Sequence, residues 1–208
     1  IALESKLDDV KRFQELVSEL KTDWDNNLFT RGQTVAISRL YSYCADGARV
    51  NEQDEFSYYQ FLKQLVENFD AQAPQLLQKL QAMLQRFYQK SAFVLSYSCD
   101  RDDREYVKTQ FLDFIAKLPE ADTKGEPEVL PVCITNEAIT TAGKVQYVAA
   151  GGNYAKFGHK YVGAMAVLET ILRYEYLWTK IRIQGGAYGA TARFELNGLG
   201  VFASYVRP

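Results

Sequence analysis

The first 90 residues of the chain carry apolar side chains at helical spacing. Positions three and four apart are apolar over residues 3–22, 31–45 and 56–66, and a fourth run follows Pro74. Because this spacing places the apolar side chains on one side of a helix, it predicts amphipathic helices in all of these regions. Pro74 fits the first turn of the last one, where an N–H has no partner inside the helix. Residues 1–90 are therefore predicted to form a mainly helical segment.

The period of the pattern changes after residue 90. Residues 91–99 form a short apolar run, and three acids and an arginine follow at residues 100–103. This order predicts a strand and then a helix with acidic side chains in its first turn. The helix is predicted to end before Pro119. Residues 119–131 hold prolines, acids and a glycine, and they are predicted to form a surface loop.

The C-terminal third of the chain contains further strand and helix patterns. Residues 129–134 and 144–150 are predicted to be strands, and Gly151-Gly152 is predicted to break the second of them. Apolar residues at helical spacing predict a long helix from about Phe157 to Ile183. Gly185-Gly186 is the expected end of this helix, because glycine readily adopts the left-handed conformation that closes helices.

The last elements are predicted to form a β-hairpin. Residues 188–196 alternate between apolar and other side chains, and Asn197-Gly198 is a strong signal for a tight turn. A two-residue turn at this place would set three pairs across the hairpin: Tyr188 with Arg207, Ala190 with Tyr205, and Phe194 with Val201.

These elements together predict an α+β fold, with an antiparallel-rich sheet and helices packed on one face. Residues 91–208 would form this α+β module, preceded by the helical segment 1–90. The chain stops at Pro208, directly after a predicted strand that nothing covers, and bare sheet edges are rare in natural domains. We therefore expect the module to be truncated at its C-terminus.

Composition and charge exclude several classes of function. A formal net charge of −2 argues against nucleic acid as a main partner. The chain has no run of 18 apolar residues, which argues against a membrane span. Cys44, Cys99 and Cys133 are odd in number and widely spaced, and the last two lie in apolar runs. This pattern favours buried, reduced thiols and a reducing compartment, either the cytoplasm or an organelle matrix.

Two common kinds of site find little support in the sequence. His159 is the single histidine, and the residues three and four positions after it are Val162 and Gly163, so no zinc-ligand pair forms there. The glycines of residues 185–189 follow a predicted helix and precede a strand. Phosphate loops have the opposite order, because the N–H groups that hold the anion belong to a helix N-terminus.

Arg182 and Tyr188 are the stronger candidates for chemistry. One lies in the last turn of the predicted long helix and the other at the start of the next strand, with the glycine pair between them. A chain reversal there brings both to one rim of the sheet, where they could donate hydrogen bonds to a carbonyl or an oxyanion. Both residues also have purely structural explanations, since arginine suits a helix C-terminus and tyrosine suits a strand.

Residues 146–190, which read QYVAAGGNYAKFGHKYVGAMAVLETILRYEYLWTKIRIQGGAYGA, resemble the presequence-protease branch of the pitrilysin/insulinase zinc metallopeptidases. The resemblance is strong over residues 144–208 and moderate over 31–118. It implies a clamshell of two halves, each built from two similar α+β modules. On this basis residues 1–90 would end the third module and residues 91–208 would form most of the fourth. Val206-Arg207 departs from the family pattern, which has Arg-Asp before the proline.

The resemblance also implies roles for particular residues. The zinc ion and its general-base glutamate come from an inverted HxxEH motif in the N-terminal half of such enzymes, and this motif is absent here. Arg182 and Tyr188 match an arginine and a tyrosine that reach across the chamber to the bound peptide. Gly185, Gly186 and Gly189 would shape the glycine-rich loop of residues 185–189. These five residues are the predicted substrate-binding residues, and no catalytic or metal-ligating residue is predicted.

Two functions are therefore open. In the first, the chain is a non-catalytic C-terminal part of a zinc metalloendopeptidase that degrades unfolded peptides, with the N-terminal catalytic half of the same protein as its partner. Alone it would be inactive. In the second, the chain belongs to a catalytically silent structural or partner subunit of the same fold.

Overall fold

The computed structural model describes residues 7–120 and 136–207 of the chain. The α-helices are α1 Val10–Thr30, α2 Gly32–Cys44, α3 Asp46–Glu52, α4 Phe56–Glu67, α5 Phe69–Phe87, α6 Arg104–Ala116 and α7 Gly163–Ile171. A π-helical segment, Leu172–Gln184, continues α7, and 3-10 turns occupy Lys90–Ala92 and Tyr154–Phe157. The strands are β1 Gln146–Asn153, β2 Gly189–Phe194 and β3 Leu199–Val206. The predicted α+β class with an antiparallel sheet is confirmed, whereas the pitrilysin-type module stays a prediction.

The chain separates into two compact units. One unit comprises residues 1–16 and 65–128, and the other comprises residues 17–64 and 129–208. The predicted strand over 129–134 lies outside the described residues. The division into family modules at residue 90 stays a prediction.

Helix α5 in the first unit begins earlier than the proline pattern indicated. Its first residue is Phe69, and Pro74 lies inside the helix rather than in its first turn. The side chains of Phe69 and Ala73 are buried, and the Phe69 ring lies 5.7 Å from that of Phe13. Burial of this apolar turn offsets the backbone hydrogen bond that the proline cannot donate.

The predicted strand over residues 91–99 is wrong. A 3-10 turn at Lys90–Ala92 leads into an irregular stretch, and none of the described strands pairs with it. Aromatic contacts with α6 hold this stretch instead: Phe93 packs edge-on against Phe114, and the ring of Tyr97 lies 5.9 Å from that of Phe111. An apolar run of this length satisfies a strand pattern, but only a neighbouring strand can complete its hydrogen bonds.

The thiol prediction is wrong for Cys99, which is exposed because no sheet forms around it. Cys44 is half-buried at the end of α2, and burial raises the pKa of its thiol above the ordinary value. Cys133 lies outside the described residues.

The second unit has a small apolar core between three helices. Leu28 of α1, Val35 of α2 and Phe56 of α4 are buried together. Partly buried side chains surround this cluster, among them Tyr59, whose hydroxyl donates a 2.8 Å hydrogen bond to the carboxylate of Asp25. Val35 and Phe56 belong to the apolar positions that predicted their helices, whereas Leu28 lies beyond the predicted helix over residues 3–22.

The sheet in this unit has the order β1-β3-β2, with β3 in the centre. Leu199, Val201 and Ala203 of β3 are buried, and helix α2 contacts both β1 and β3. Gly151 and Gly152 lie inside β1, so the predicted strand break is wrong. Gly151 stays in the ladder because it lets the backbone of Gly200 approach closely, where a Cβ would contact the Gly200 carbonyl oxygen.

The hairpin between β2 and β3 forms where it was predicted, but its register is shifted by one residue. Phe194 pairs with Gly200 rather than Val201. The predicted pair of Ala190 with Tyr205 shifts in the same way, because Ala190 pairs with Ser204 and Gly189 pairs with Tyr205. Tyr188 precedes β2, and its N–H donates to the carbonyl of Tyr205.

The turn chemistry explains this shift. Only Gly198 has a positive φ in this turn, +93°, and among the described residues no side-chain-bearing residue does. A two-residue type I′ turn needs positive φ at both central positions, which Asn197 does not adopt. The chain forms a three-residue loop instead, and the N–H of Glu195 donates to the Leu199 carbonyl at 2.8 Å.

The predicted long helix over 157–183 is interrupted at its start and changes type along its length. Gly158, with a φ of +84°, ends the Tyr154–Phe157 turn, and α7 begins only at Gly163. From Leu172 to Gln184 the helix is π-helical, a form that apolar periodicity does not distinguish from an α-helix. The predicted end at Gly185-Gly186 is confirmed.

Gly198→Ala is expected to lower the free energy of unfolding by about 2 kcal/mol. Its backbone is left-handed, and an added Cβ would lie 2.5 Å from the Cβ of Ala155 and 2.6 Å from Oδ1 of Asn153. Urea denaturation of the chain measures the effect. Gly47→Ala is the matched control, because it lies in α3 with open space around it and should stabilise the chain by about 0.5 kcal/mol. Equal effects of the two changes would contradict the prediction.

Candidate functional site

Arg182 lies in the last turn of the π-helical segment and is exposed. The central carbon of its guanidinium stands 3.9 Å from the centroid of the Trp178 ring. No carboxylate among the residues that the structure describes forms an ion pair with it. Stacking occupies one face of the guanidinium and leaves the N–H groups at its edge available to a ligand.

The glycine pair reverses the chain directly after Arg182. The N–H of Gly186 donates to the carbonyl of Arg182 at 3.1 Å, and the N–H of Ala187 donates to the carbonyl of Ile181 at 3.1 Å. Gly186 has a φ of +73°, and a Cβ on Gly185 would lie 2.7 Å from the Ile181 carbonyl oxygen. Both positions therefore favour glycine, since a side chain would strain the backbone at one and collide with it at the other.

Tyr188 emerges from this turn at the rim of the sheet. Its N–H donates a 2.9 Å hydrogen bond to the carbonyl of Tyr205, and the two rings lie 6.2 Å apart. Tyr188 is 48% exposed. Gly189 lies under the Tyr205 ring, where a Cβ would stand 2.7 Å from Cε1 of that ring.

Tyr205 itself belongs to a row of three tyrosines. Its ring lies 6.0 Å from that of Tyr147 on the neighbouring strand β1. Tyr147 in turn packs over Gly32 at the start of α2, where any Cβ would collide with its ring. We call Tyr147, Tyr205 and Tyr188 the tyrosine row.

The structure thus places all five predicted site residues in one turn, with Arg182 on the helix side and Tyr188 on the sheet side. Two hydrogen-bond donors of different kinds, Arg182 and Tyr188, flank Gly185-Gly186, and both are exposed. Their role in substrate binding stays a prediction. Sequence reasoning missed Trp178 and Tyr205, which contact the two donors. The spacing of four residues between Trp178 and Arg182 was a usable signal, because such residues are neighbours on a helix.

A charge network lies apart from this turn, on helix α2. Nη1 of Arg39 forms a 2.9 Å ion pair with Glu52, and its Nε donates at 2.5 Å to Glu137. Glu52 is 2% exposed, and the hydrogen bond from Arg39 lowers the pKa of Glu137 below the ordinary glutamate value. Glu52 and Glu137 are therefore both paired with Arg39, as is usual for buried and half-buried charges.

Residues able to hold a metal ion are not gathered in the described part of the chain. Over residues 7–120 and 136–207, no three His, Cys, Asp or Glu side chains lie close enough together to bind one. His159 is exposed, and its backbone N–H donates to the carbonyl of Tyr154 at 3.3 Å. The donors at the glycine turn are an arginine and a tyrosine, which are not a zinc-ligand set.

Comparison with known proteins supplies the family. Residues 1–65 match the family described as Peptidase M16 (subfamily C) associated, and residues 136–208 match the PreP C-terminal domain. The chain is a C-terminal portion of a peptidase-like protein of this subfamily. The PreP C-terminal domain match contains the π-helical segment, the glycine turn and the hairpin.

Two relatives match this chain over almost its whole length. The chain is 32% identical over 203 residues to Protein HypA of Clostridium perfringens. This alignment covers 97% of the chain and 21% of the relative. The chain is 26% identical over 204 residues to Presequence protease 1, chloroplastic/mitochondrial, of Arabidopsis thaliana, covering 96% of this chain and 19% of the relative. This chain therefore spans about a fifth of the length of these curated relatives.

None of the helices in the described ranges is both long enough and apolar enough to cross a lipid bilayer.

Proposed function

We propose that this chain is the non-catalytic, substrate-holding part of a zinc metalloendopeptidase that degrades unfolded peptides. The observation that carries the proposal is the PreP C-terminal domain match over residues 136–208, which contains an exposed Arg182 and Tyr188 on either side of one glycine turn. Similarity of the chain to an Arabidopsis presequence protease supports the same activity class. The zinc ion and its general base would belong to an N-terminal half outside this chain.

The described residues do not provide a zinc site, so no catalytic step is assigned to a metal on this chain. Its own residues would bind the peptide. The guanidinium of Arg182 offers parallel N–H donors to a backbone carbonyl or a carboxylate, and the Tyr188 hydroxyl can donate one more hydrogen bond. Donors aimed at the scissile carbonyl would hold it and stabilise the negative charge that develops on its oxygen.

Metal removal tests the enzyme class in the full-length protein. We expect cleavage of unfolded peptides to stop when a chelator removes the metal and to return when zinc is added, because the bound water needs the metal to become a nucleophile at neutral pH. The chain of residues 1–208 serves as the control and should show no cleavage with or without zinc.

Two outcomes would overturn the assignment. Zinc-dependent cleavage by the 208-residue chain alone would place the catalytic site within it. A full-length protein that neither binds zinc nor cleaves peptides would instead support the catalytically silent structural subunit.

A further inference from the structure

We propose that Trp178 and Tyr205 are positioning residues: Trp178 holds the guanidinium of Arg182, and Tyr205 holds the ring of Tyr188. The inference rests on the proposed function, because it concerns the residues that would grip the peptide. It adds two aromatic side chains that touch the donors rather than the substrate.

The contact between Trp178 and Arg182 fits this role by its geometry. At 3.9 Å from the ring centroid, the guanidinium lies directly over the indole, within the range of a cation–π interaction. A free arginine side chain samples many rotamers, and freezing it on binding costs affinity. The stacked ring reduces that cost in advance. Unlike a carboxylate partner, it does not occupy the N–H groups that a peptide carbonyl would need.

Tyr205 holds Tyr188 through both the backbone and the ring. The carbonyl of Tyr205 accepts the Tyr188 N–H at 2.9 Å, and the rings lie 6.2 Å apart. Gly189 provides the space in which the Tyr205 ring lies. Glycine weakens a strand interior, and an aromatic ring laid across it from the neighbouring strand restores part of the lost packing.

The far side of Tyr205 is supported as well. Tyr147 lies 6.0 Å away and is itself backed by Gly32 of α2. The tyrosine row therefore runs from a helix through the centre of the sheet to the exposed rim, so that the last ring is fixed by packed neighbours. An exposed tyrosine without such support would rotate freely, and its hydroxyl would not hold one position for a substrate.

Peptide kinetics of the full-length protein test the inference. Trp178→Leu should lower kcat/KM about fivefold, with Trp178→Phe restoring most of the loss because an aromatic face is retained. Tyr205→Leu should lower it about tenfold and Tyr205→Phe much less, mainly through kcat, since a misplaced donor weakens the transition state more than the bound substrate. Tyr176→Leu and Phe202→Leu, at exposed aromatic residues of the same segment and the same strand, should leave kcat/KM unchanged.

A double-mutant cycle separates positioning from a general effect on folding. In the Arg182→Ala background, Trp178→Leu should have no further effect on kcat/KM, because the guanidinium that it holds is gone. If Tyr205→Leu does not fold, Gly189→Ala replaces it, since the added methyl would displace the Tyr205 ring without removing it. Additive losses in the cycle, or phenylalanine variants as damaging as the leucine variants, would overturn the inference.

A readout that does not depend on activity distinguishes this inference from the proposed function. In the full-length protein labelled with 5-fluorotryptophan, the ¹⁹F resonance of Trp178 is assigned by its loss in Trp178→Phe. Arg182→Ala should shift this resonance, whereas Lys180→Ala should not. An unshifted resonance overturns the positioning inference whatever the kinetics. A shifted resonance together with unchanged kinetics of Arg182→Ala instead overturns the substrate-holding role that the proposed function gives to Arg182.

Discussion

Arg182→Ala in the full-length protein is expected to lower kcat/KM for peptide hydrolysis by about a hundredfold, as loss of an oxyanion donor does in other hydrolases. The side chain is exposed and lies at a helix end, so its removal should change the free energy of unfolding by less than about 1 kcal/mol. Steady-state kinetics and urea denaturation of the same preparation measure the two quantities. A large fall in kcat/KM with a small change in the free energy of unfolding is the result expected for a substrate-binding residue.

Matched variants identify which property of the side chain matters. Arg182→Lys keeps the charge but loses the planar fork, so it should recover only part of the activity. Tyr188→Phe removes only the hydroxyl and should lower kcat/KM by about tenfold, while Tyr176→Phe, at an exposed tyrosine of the π-helical segment, should have no effect. Unchanged kinetics in Arg182→Ala and Tyr188→Phe would remove the binding role from both residues.

Arg39→Met should have the largest effect on stability, lowering the free energy of unfolding by about 3 kcal/mol at neutral pH. The change leaves Glu52 buried without its cation, although Ser57 still donates to it from Oγ at 2.6 Å. Methionine fills much of the same volume, so the loss reflects the unpaired charge rather than a cavity. Thermal and urea unfolding of the chain check this result.

The stability loss caused by Arg39→Met is expected to depend on pH. Hydrogen bonding from Arg39 is the main cause of the lowered pKa of Glu137. A carboxyl whose pKa is lower in the folded state stabilises the fold above its unfolded pKa, and this contribution is lost as the pH falls through the folded pKa. The stability difference between the wild type and Arg39→Met that is due to Glu137 should therefore narrow on acidification.

Lys21→Met is the control for this prediction. It breaks an ion pair with Asp25 whose two side chains are 32% and 40% exposed, and it should cost about 0.5 kcal/mol or less. A loss in Arg39→Met no greater than this would show that the network contributes little to stability.

Local patterns in the sequence determined much of the secondary structure and the position of the candidate site. Helical periodicity predicted α1, α2, α4 and α5, because it records which side of a segment is apolar, but it misplaced several of their ends and missed the short helix α3. Gly185-Gly186 predicted the end of the long helix, and Asn197-Gly198 predicted where the hairpin turns. These features depend on residues a few positions apart, so the sequence alone is sufficient to predict them.

Pairing between distant residues was decided only by the tertiary structure. Residues 91–99 have the composition of a strand, but a strand also needs a partner edge, and aromatic contacts with α6 hold the segment instead. Gly151 remains inside β1 because the backbone of β3 approaches it closely, and the sequence pattern carries no information about that approach.

The supports of the candidate site show the same limit. The glycines and the two donor residues lie within positions 182–189, so the sequence alone was enough to predict them as one site. Tyr205 reaches Tyr188 only through strand pairing, and Arg39 meets Glu137 across 98 residues of chain. A local sequence pattern specifies backbone preferences over one or two turns, whereas these contacts exist only after separate elements have packed together.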